Sequence, residues 1–294
     1  MTATIPQRDG AVEDPPPARA GAWRRLRRDP KGVVGAILLL ITIAAGVCAP
    51  VLAPYGPAEV HFDAPFQRPG TVGFALGTDD LGRDVLSRVL YGTRASLEVG
   101  GLSVLCAVLV GGLLGLVAGY WRGPDAVLSR AGDVVLAFPY FVLGVGLVAI
   151  DGGGLVDAAV ALGISQVPVM MRVVRAETLR LKESDFVLAA RAMHVRPGRI
   201  LAEHILPNAA AAAIVQATLI MPIAVLGEAV LSFLGLGIRP PAPSLGIMLS
   251  DAQQYLSLTA WPGIFPGVAL ALICFGFNLF GDALRDALDP KTAR

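Results

Sequence analysis

VGGLSVLCAVLVGGLLGLVAGYW, residues Val99–Trp121, contains no charged side chain. A helix over this stretch extends about 35 Å at 1.5 Å per residue, enough to cross a hydrocarbon core that asks for roughly 20 apolar residues. Three further uncharged runs, Gly32–Ala58, Ile205–Gly227 and Ala252–Gly281, are as long or longer. The chain of 294 residues is 54% hydrophobic and 16% charged, against about a quarter charged in a soluble domain. These runs predict an all-α polytopic membrane protein.

Two weaker segments decide the number of spans. Val134–Ile150 is uncharged but contains Pro139, and Gly152–Met171 contains Asp157 and Pro168. Gly and Pro are tolerated in membrane helices, where neighbours re-satisfy the freed backbone. With all six segments spanning and the N-terminus cytoplasmic, only Arg68, Arg83, Arg88, Arg94 and Arg239 of the 24 Lys and Arg residues fall outside. Dropping Gly152–Met171 would expose the basic block Arg172–Arg199 instead, against the positive-inside tendency. Six transmembrane helices with both termini cytoplasmic is the expected topology.

The expected organisation follows. Residues 1–30 form a disordered cytoplasmic N-terminus with a basic juxtamembrane segment, since VEDPPPARAGA can bury nothing. The first span, 31–54, is too long for a signal peptide core and is read as uncleaved. An extracytoplasmic segment follows at 55–94, then a core of five spans at 95–284 with a cytoplasmic loop at 172–208, and a tail at 285–294. Cys48, Cys106 and Cys274 stand singly in apolar runs and read as small core residues.

The cytoplasmic loop is the least membrane-like part. Ser184 or Asp185 can cap a helix, and Phe186, Ala189, Ala190 and Met193 fall at helical spacing on one stripe. His194 sits where helices often end in a left-handed residue, and Pro197-Gly198 blocks continuation. A second helix from about Arg199 to Leu206 then leads through Pro207-Asn208 into the fifth span. The pair could dock into a partner's groove, or lie against its own bundle.

LAARAMHVRPGRILAEHILPN, Leu188–Asn208, resembles the coupling loop of inner-membrane permease subunits of ATP-binding-cassette importers. Ala189, Ala190, Arg191, His204, Leu206, Pro207 and Asn208 match that pattern; Leu188 stands where the family has Glu, and His194 where it has Gly. The Gly position calls for positive φ, which His tolerates better than most residues. GTDDLGRDVLSRVLYGTRASLEVG (Gly77–Gly100) and GEAVLSFLGLGIRPPAPSLGIMLSDA (Gly227–Ala252) resemble the second permease of dipeptide- and oligopeptide-type importers. That subunit carries an N-terminal span before a five-span type I importer core. The resemblance implies a heterodimer with a homologous permease, two ATPase subunits, an extracytoplasmic substrate-binding protein, and a peptide as substrate. ATP and Mg would sit on the ATPases, with no cofactor on this chain. A nickel or other small-solute importer of the same family is the alternative.

Gly77, Asp79, Asp80, Arg83 and Asp84 lie just before the second span. Thr78 or Asp79 could cap a helix there, with Asp84–Arg88 as an i,i+4 pair, or the segment could dock the binding protein. The loop lacks the alternating ligands of a calcium site. Glu228, a carboxylate in an apolar run, must face protein or water; it could meet substrate or a partner subunit. Asp133, with Arg130 nearby, reads as a cap or an ion pair at the inner surface. Lys31, Lys182 and Lys291 are the chain's lysines and none follows a glycine, so no P-loop is present. An ion-gradient-driven transporter is the rival class, but the expected inverted repeats are not visible. Neither H-E-x-x-H nor G-x-S-x-G occurs, and nothing suggests nucleic acid.

Overall fold

The computed structural model describes residues 24–288. Most of the expected N-terminal segment, 1–23, and the end of the expected tail, 289–294, lie outside the described residues. Within them the chain is helical, with only isolated backbone bridges at Thr71–Phe74 and Thr78–Asp84. The lower end of the molecule carries Ser184–Asn208, and the upper end carries the segment that precedes Val85.

Helix α1, Pro30–Val47, starts at Asp29, whose carboxylate accepts the Lys31 N–H, and has proline in its first turn. Its buried residues, Gly32, Gly35, Leu39, Thr42 and Gly46, recur at helical spacing. That mostly small face packs chiefly against the last helix, α12 (Trp261–Leu288). A short α2 (Ala49–Leu52) ends the first span.

The second span is one helix of 36 residues, Val85–Tyr120. It comprises α3 (Val85–Cys106), a π-helical turn at Ala107–Gly111, and α4 (Gly112–Tyr120). Gly111, Gly115 and Gly119 follow at four-residue spacing against α7 (Leu155–Lys182). A Cβ at these positions would come within 2.6 Å of the Val167 carbonyl, 2.7 Å of the Met171 carbonyl and 2.5 Å of Thr178 Cβ. Only glycine permits this approach of backbones, the close packing that membrane helices use where water cannot drive association.

The third span differs from the expected single segment. Helix α5 (Arg122–Leu136) and α6 (Tyr140–Asp151) meet at a bend of 88°. Pro139 ends one helical direction and begins the next, because its ring fits only the first turn. The molecule thus has five long apolar helices, and six spans when the bent pair counts as one. Gly152 closes α6 at φ 90° and leads to α7.

α7 continues well past the expected span end at Met171, to Lys182. Much of the expected loop 172–208 is therefore helix. α8 (Asp185–Ala192) is its separate element. The fifth span begins early, as α9 (Pro197–Ile200), a π turn at Leu201–Ile205 and α10 (Leu206–Phe233) run on as one 37-residue helix. Pro207 does not interrupt it. It follows directly on the π turn, where the regular hydrogen-bond ladder is already broken. α11 (Leu245–Gln253) lies at the upper end before α12.

Candidate functional site

The lower end is built around α8. Ser184 occupies its N-cap position, but its hydroxyl donates to the Leu181 carbonyl rather than serving the first-turn N–H groups. The stripe facing the bundle is Val187 and Ala190, both buried, in one cluster with Leu181, Ile200 and Ile205. Of the stripe expected from spacing, only Ala190 points inward. Phe186 is 44% exposed and Met193 72%, with Leu188 and Ala189 also outward. The reason lies at the helix end. His194 takes φ 57°, its N–H donates to Arg191, and the Val195 N–H reaches back to Ala190 at 3.1 Å. This left-handed stop turns the chain beneath α8, so the side bearing Val187 and Ala190 is covered and the opposite side is not.

Two cations, one at the end of α7 and one on α8, tie this region to the second span. Lys182 donates to the Tyr120 carbonyl at 2.8 Å, and the Arg191 guanidinium lies 5.3 Å from the Tyr120 ring centroid, within cation–π range. Phe186 stacks loosely with His204, with centroids 6.5 Å apart. Asn208 donates to the His204 carbonyl at 2.6 Å, stitching the start of α10. Asp133 pairs with Arg172 at 2.6 Å rather than with Arg130, and Asp125 pairs with Arg175, so α5 is held to α7 by charge. Tyr120, Lys182 and the Asp125–Arg175 pair are partners across long sequence separations, with no local signal to reveal them.

At the upper end Asp79, not Asp84, is the centre of charge. Asp79 accepts from the Leu81 N–H at 3.0 Å, the Arg83 N–H at 2.9 Å and Arg83 Nε at 2.7 Å, and it also holds Arg88. Arg83 reaches Asp80 at 3.3 Å, and both arginines approach Asp251 of α11, at 3.6 and 3.7 Å. Burial pushes the Asp251 carboxyl above its ordinary range, against the pull of Arg88 and Arg83. Asp84 instead caps α3, accepting from the Ser87 N–H at 2.8 Å and the Ser87 hydroxyl at 2.7 Å. The expected Asp84–Arg88 pair is therefore replaced: a carboxylate turned back to cap the first turn is not available to the next. Thr78 is no cap either; its hydroxyl donates to the Ala64 carbonyl at 2.6 Å and accepts the Gln67 N–H at 2.8 Å. Gly77 at φ 79° lets this turn close.

Glu228 is fully buried in α10. Its carboxylate accepts hydroxyl bonds from Ser96 at 2.9 Å, Ser232 at 2.7 Å and Ser244 at 2.7 Å. Ser232 and Ser244 in turn accept the N–H groups of Ile238 and Gly246, both at 3.1 Å. The carboxylate thus fastens the loop after α10 to α3. Among the described residues no group of His, Cys, Asp and Glu could hold a metal.

Residues 108–294 match the family described as binding-protein-dependent transport system inner membrane component. Residues 19–69 match the N-terminal transmembrane domain of oligopeptide transport permease C. A dipeptide transport system permease protein of Alkalihalophilus pseudofirmus is 43% identical, over 92% of this chain and 89% of that protein. A glutathione transport system permease protein of Pectobacterium atrosepticum is 40% identical over 99% of this chain and 96% of that one. A di/tripeptide transport system permease protein of Pseudomonas aeruginosa is 38% identical over 97% and 96%. Among solved structures, a chain of the MetNI methionine ABC transporter in an inward-facing conformation shares the fold. It has a TM-score of 0.56, 20% identity, and coverage of 68% of this chain and 96% of that chain.

Proposed function

The chain belongs to the family of binding-protein-dependent transport system inner membrane components, and from that premise we propose that it carries peptides inward as one half of a two-permease path. As a family member it is a non-catalytic, multi-pass subunit of the inner membrane that works with ATPase and binding-protein partners. The finer reading concerns which partners meet which residues. One homologous permease completes the path, two ATPases bind ATP and Mg, and the termini and α8 face the cytoplasm.

The observation that carries the reading is the two-sided character of α8. Val187 and Ala190 root it in the bundle, whereas Phe186, Leu188, Ala189 and Met193 form an exposed apolar outer side, which among the described residues only His204 flanks, at Phe186. An apolar helix face of this size beside Arg191 and His194 suits insertion into a groove of a soluble partner. Leu188, in place of the family's Glu, makes that contact more apolar. Closure of the ATPases would push α8, and Lys182 and Arg191 would pass the movement to Tyr120 and the second span. The spans then choose between two packings, and nucleotide state biases the choice.

At the other end, Asp79, Asp80, Arg83 and the α3 cap at Asp84 form a rigid, charged platform supported by Asp251. We assign it to docking of the substrate-loaded binding protein. Peptide is the proposed cargo because the relatives at 38–43% identity are peptide and glutathione permeases over nearly their whole length. The test is to purify the tagged chain from its membrane in mild detergent and identify what accompanies it. A homologous permease and P-loop ATPases in stable complex support the reading. A chain that emerges alone, or only with copies of itself, contradicts it.

A further inference from the structure

Another charged pair stands on the outer side of α3, apart from those already described. Arg94 Nε donates to Glu98 at 2.8 Å on the exposed side of α3, and the two side chains are 45% and 44% exposed. Below them the same helix side continues as Leu102, Leu105, Leu109 and Leu113, all exposed. The uncharged stretch from Val99 to Tyr120 is about 33 Å long at 1.5 Å per residue, close to the ~30 Å of a hydrocarbon core. The pair therefore stands at the upper boundary of the hydrocarbon. α1 gives the same level independently, since Gly46, next to its end at Val47, packs on the Arg94 backbone. Tyr91, one turn above, is the amphipathic ring that favours this depth.

Two cavities flank the pair. One, of about 340 Å³, is lined by Tyr91, Arg94 and Glu98 together with Arg239 and Pro243 of the loop after α10. Arg239 lies against the Gly152 turn, where a Cβ would come 2.8 Å from Nη2. The other, of about 360 Å³, opens on the other side of Arg94 and Glu98 and is lined by Ile43, Val47, Leu97, Met221 and Phe277. Two chambers of mainly apolar lining thus share the Arg94–Glu98 pair at headgroup depth, and Arg239 adds a second guanidinium to the first.

We infer that this is a binding site for a glycerophospholipid whose headgroup carries both a phosphate and a primary ammonium, of the phosphatidylethanolamine kind. Arg94 and Arg239 offer planar N–H forks to the phosphate oxygens, and Glu98 accepts from the ammonium. One acyl chain occupies the chamber of Ile43, Leu97 and Phe277, and the other lies along the leucine side of α3. A peptide is the poorer match, because a path for a zwitterion would not run down an unbroken leucine face. In the orientation proposed above the lipid belongs to the outer leaflet.

The test is native mass spectrometry of the whole importer released from nanodiscs, which reads bound lipid with no ATP and no transport, so it stands apart from the import reading. In discs of phosphatidylethanolamine and phosphatidylglycerol, the wild type should retain one phosphatidylethanolamine per complex. Retention should fall roughly tenfold in Arg94→Gln/Glu98→Gln, the loss expected from removing charge-assisted hydrogen bonds. Arg239→Gln, on an exposed loop outside any helix, should weaken retention in the same direction and guards against misfolding of the double variant. Equal retention in all three overturns the proposal. So does indifference to headgroup, or displacement of the lipid by a dipeptide, which would make the chamber part of the substrate path.

Discussion

Glu228 and His194 are two residues whose roles depend on single atoms. The Glu228 carboxylate is the common acceptor for three serine hydroxyls in a fully buried site. Glu228→Gln replaces one acceptor oxygen by a donor, leaving a serine facing an N–H. The expected cost is about 1–3 kcal/mol, read as a lower unfolding midpoint in detergent, and Glu228→Leu should cost more. A substrate contact at Glu228 would instead leave the midpoint unchanged and alter uptake alone. At His194, φ 57° strains any residue with a Cβ. His194→Gly should stabilise the segment by up to ~1 kcal/mol, and His194→Val should destabilise it, both measured by the same melt. The positive φ was legible in the sequence because His194 precedes a proline-glycine pair and stands where the related pattern has Gly. The serines around Glu228 were not, since Ser96 is 132 residues away.

α8 is an element whose two sides make opposite predictions. Phe186→Asp or Met193→Asp changes an exposed side chain, so the purified chain should stay folded while peptide-stimulated ATP hydrolysis by the assembled importer drops at least tenfold. Val187→Asp buries a charge without a partner, which costs several kcal/mol, and should instead abolish expression of folded protein. If Phe186→Asp and Val187→Asp behave alike, α8 is only a strut. Spacing placed Phe186, Ala189, Ala190 and Met193 on one stripe, but a single helix of eight residues does not say which of its sides the rest of the chain covers. That was decided by Ile200 and Ile205, which return beneath it. Long apolar runs were read correctly as helices, and their ends were not. α7 runs on through Arg172–Lys182 because charged residues at a helix end leaving the membrane cost nothing in water. The bend at Pro139 was equally hidden, since a proline in a membrane helix either kinks or passes, depending on its neighbours.

At the scale of the whole molecule, the helices place the segment 53–84 and the element α8 at opposite ends. Single cysteines at Val72, which is 97% exposed, and at Met193, which is 72% exposed, should react with a membrane-impermeant maleimide from opposite faces of sealed vesicles. Right-side-out vesicles should label Val72→Cys and inside-out vesicles Met193→Cys. Labelling of both from one face would overturn the topology. The number of spans was legible because hydrocarbon thickness and the distribution of Arg constrain it together. The partners were legible only through the resemblance at Leu188–Asn208, as no physical rule names an ATPase from a helix face. The most direct test of the central claim is uptake of a labelled dipeptide into proteoliposomes holding this chain, its partner permease, the ATPases and the binding protein. Uptake should require ATP and the binding protein and should be lost in Phe186→Asp. Uptake driven by an ion gradient without ATP would contradict the claim.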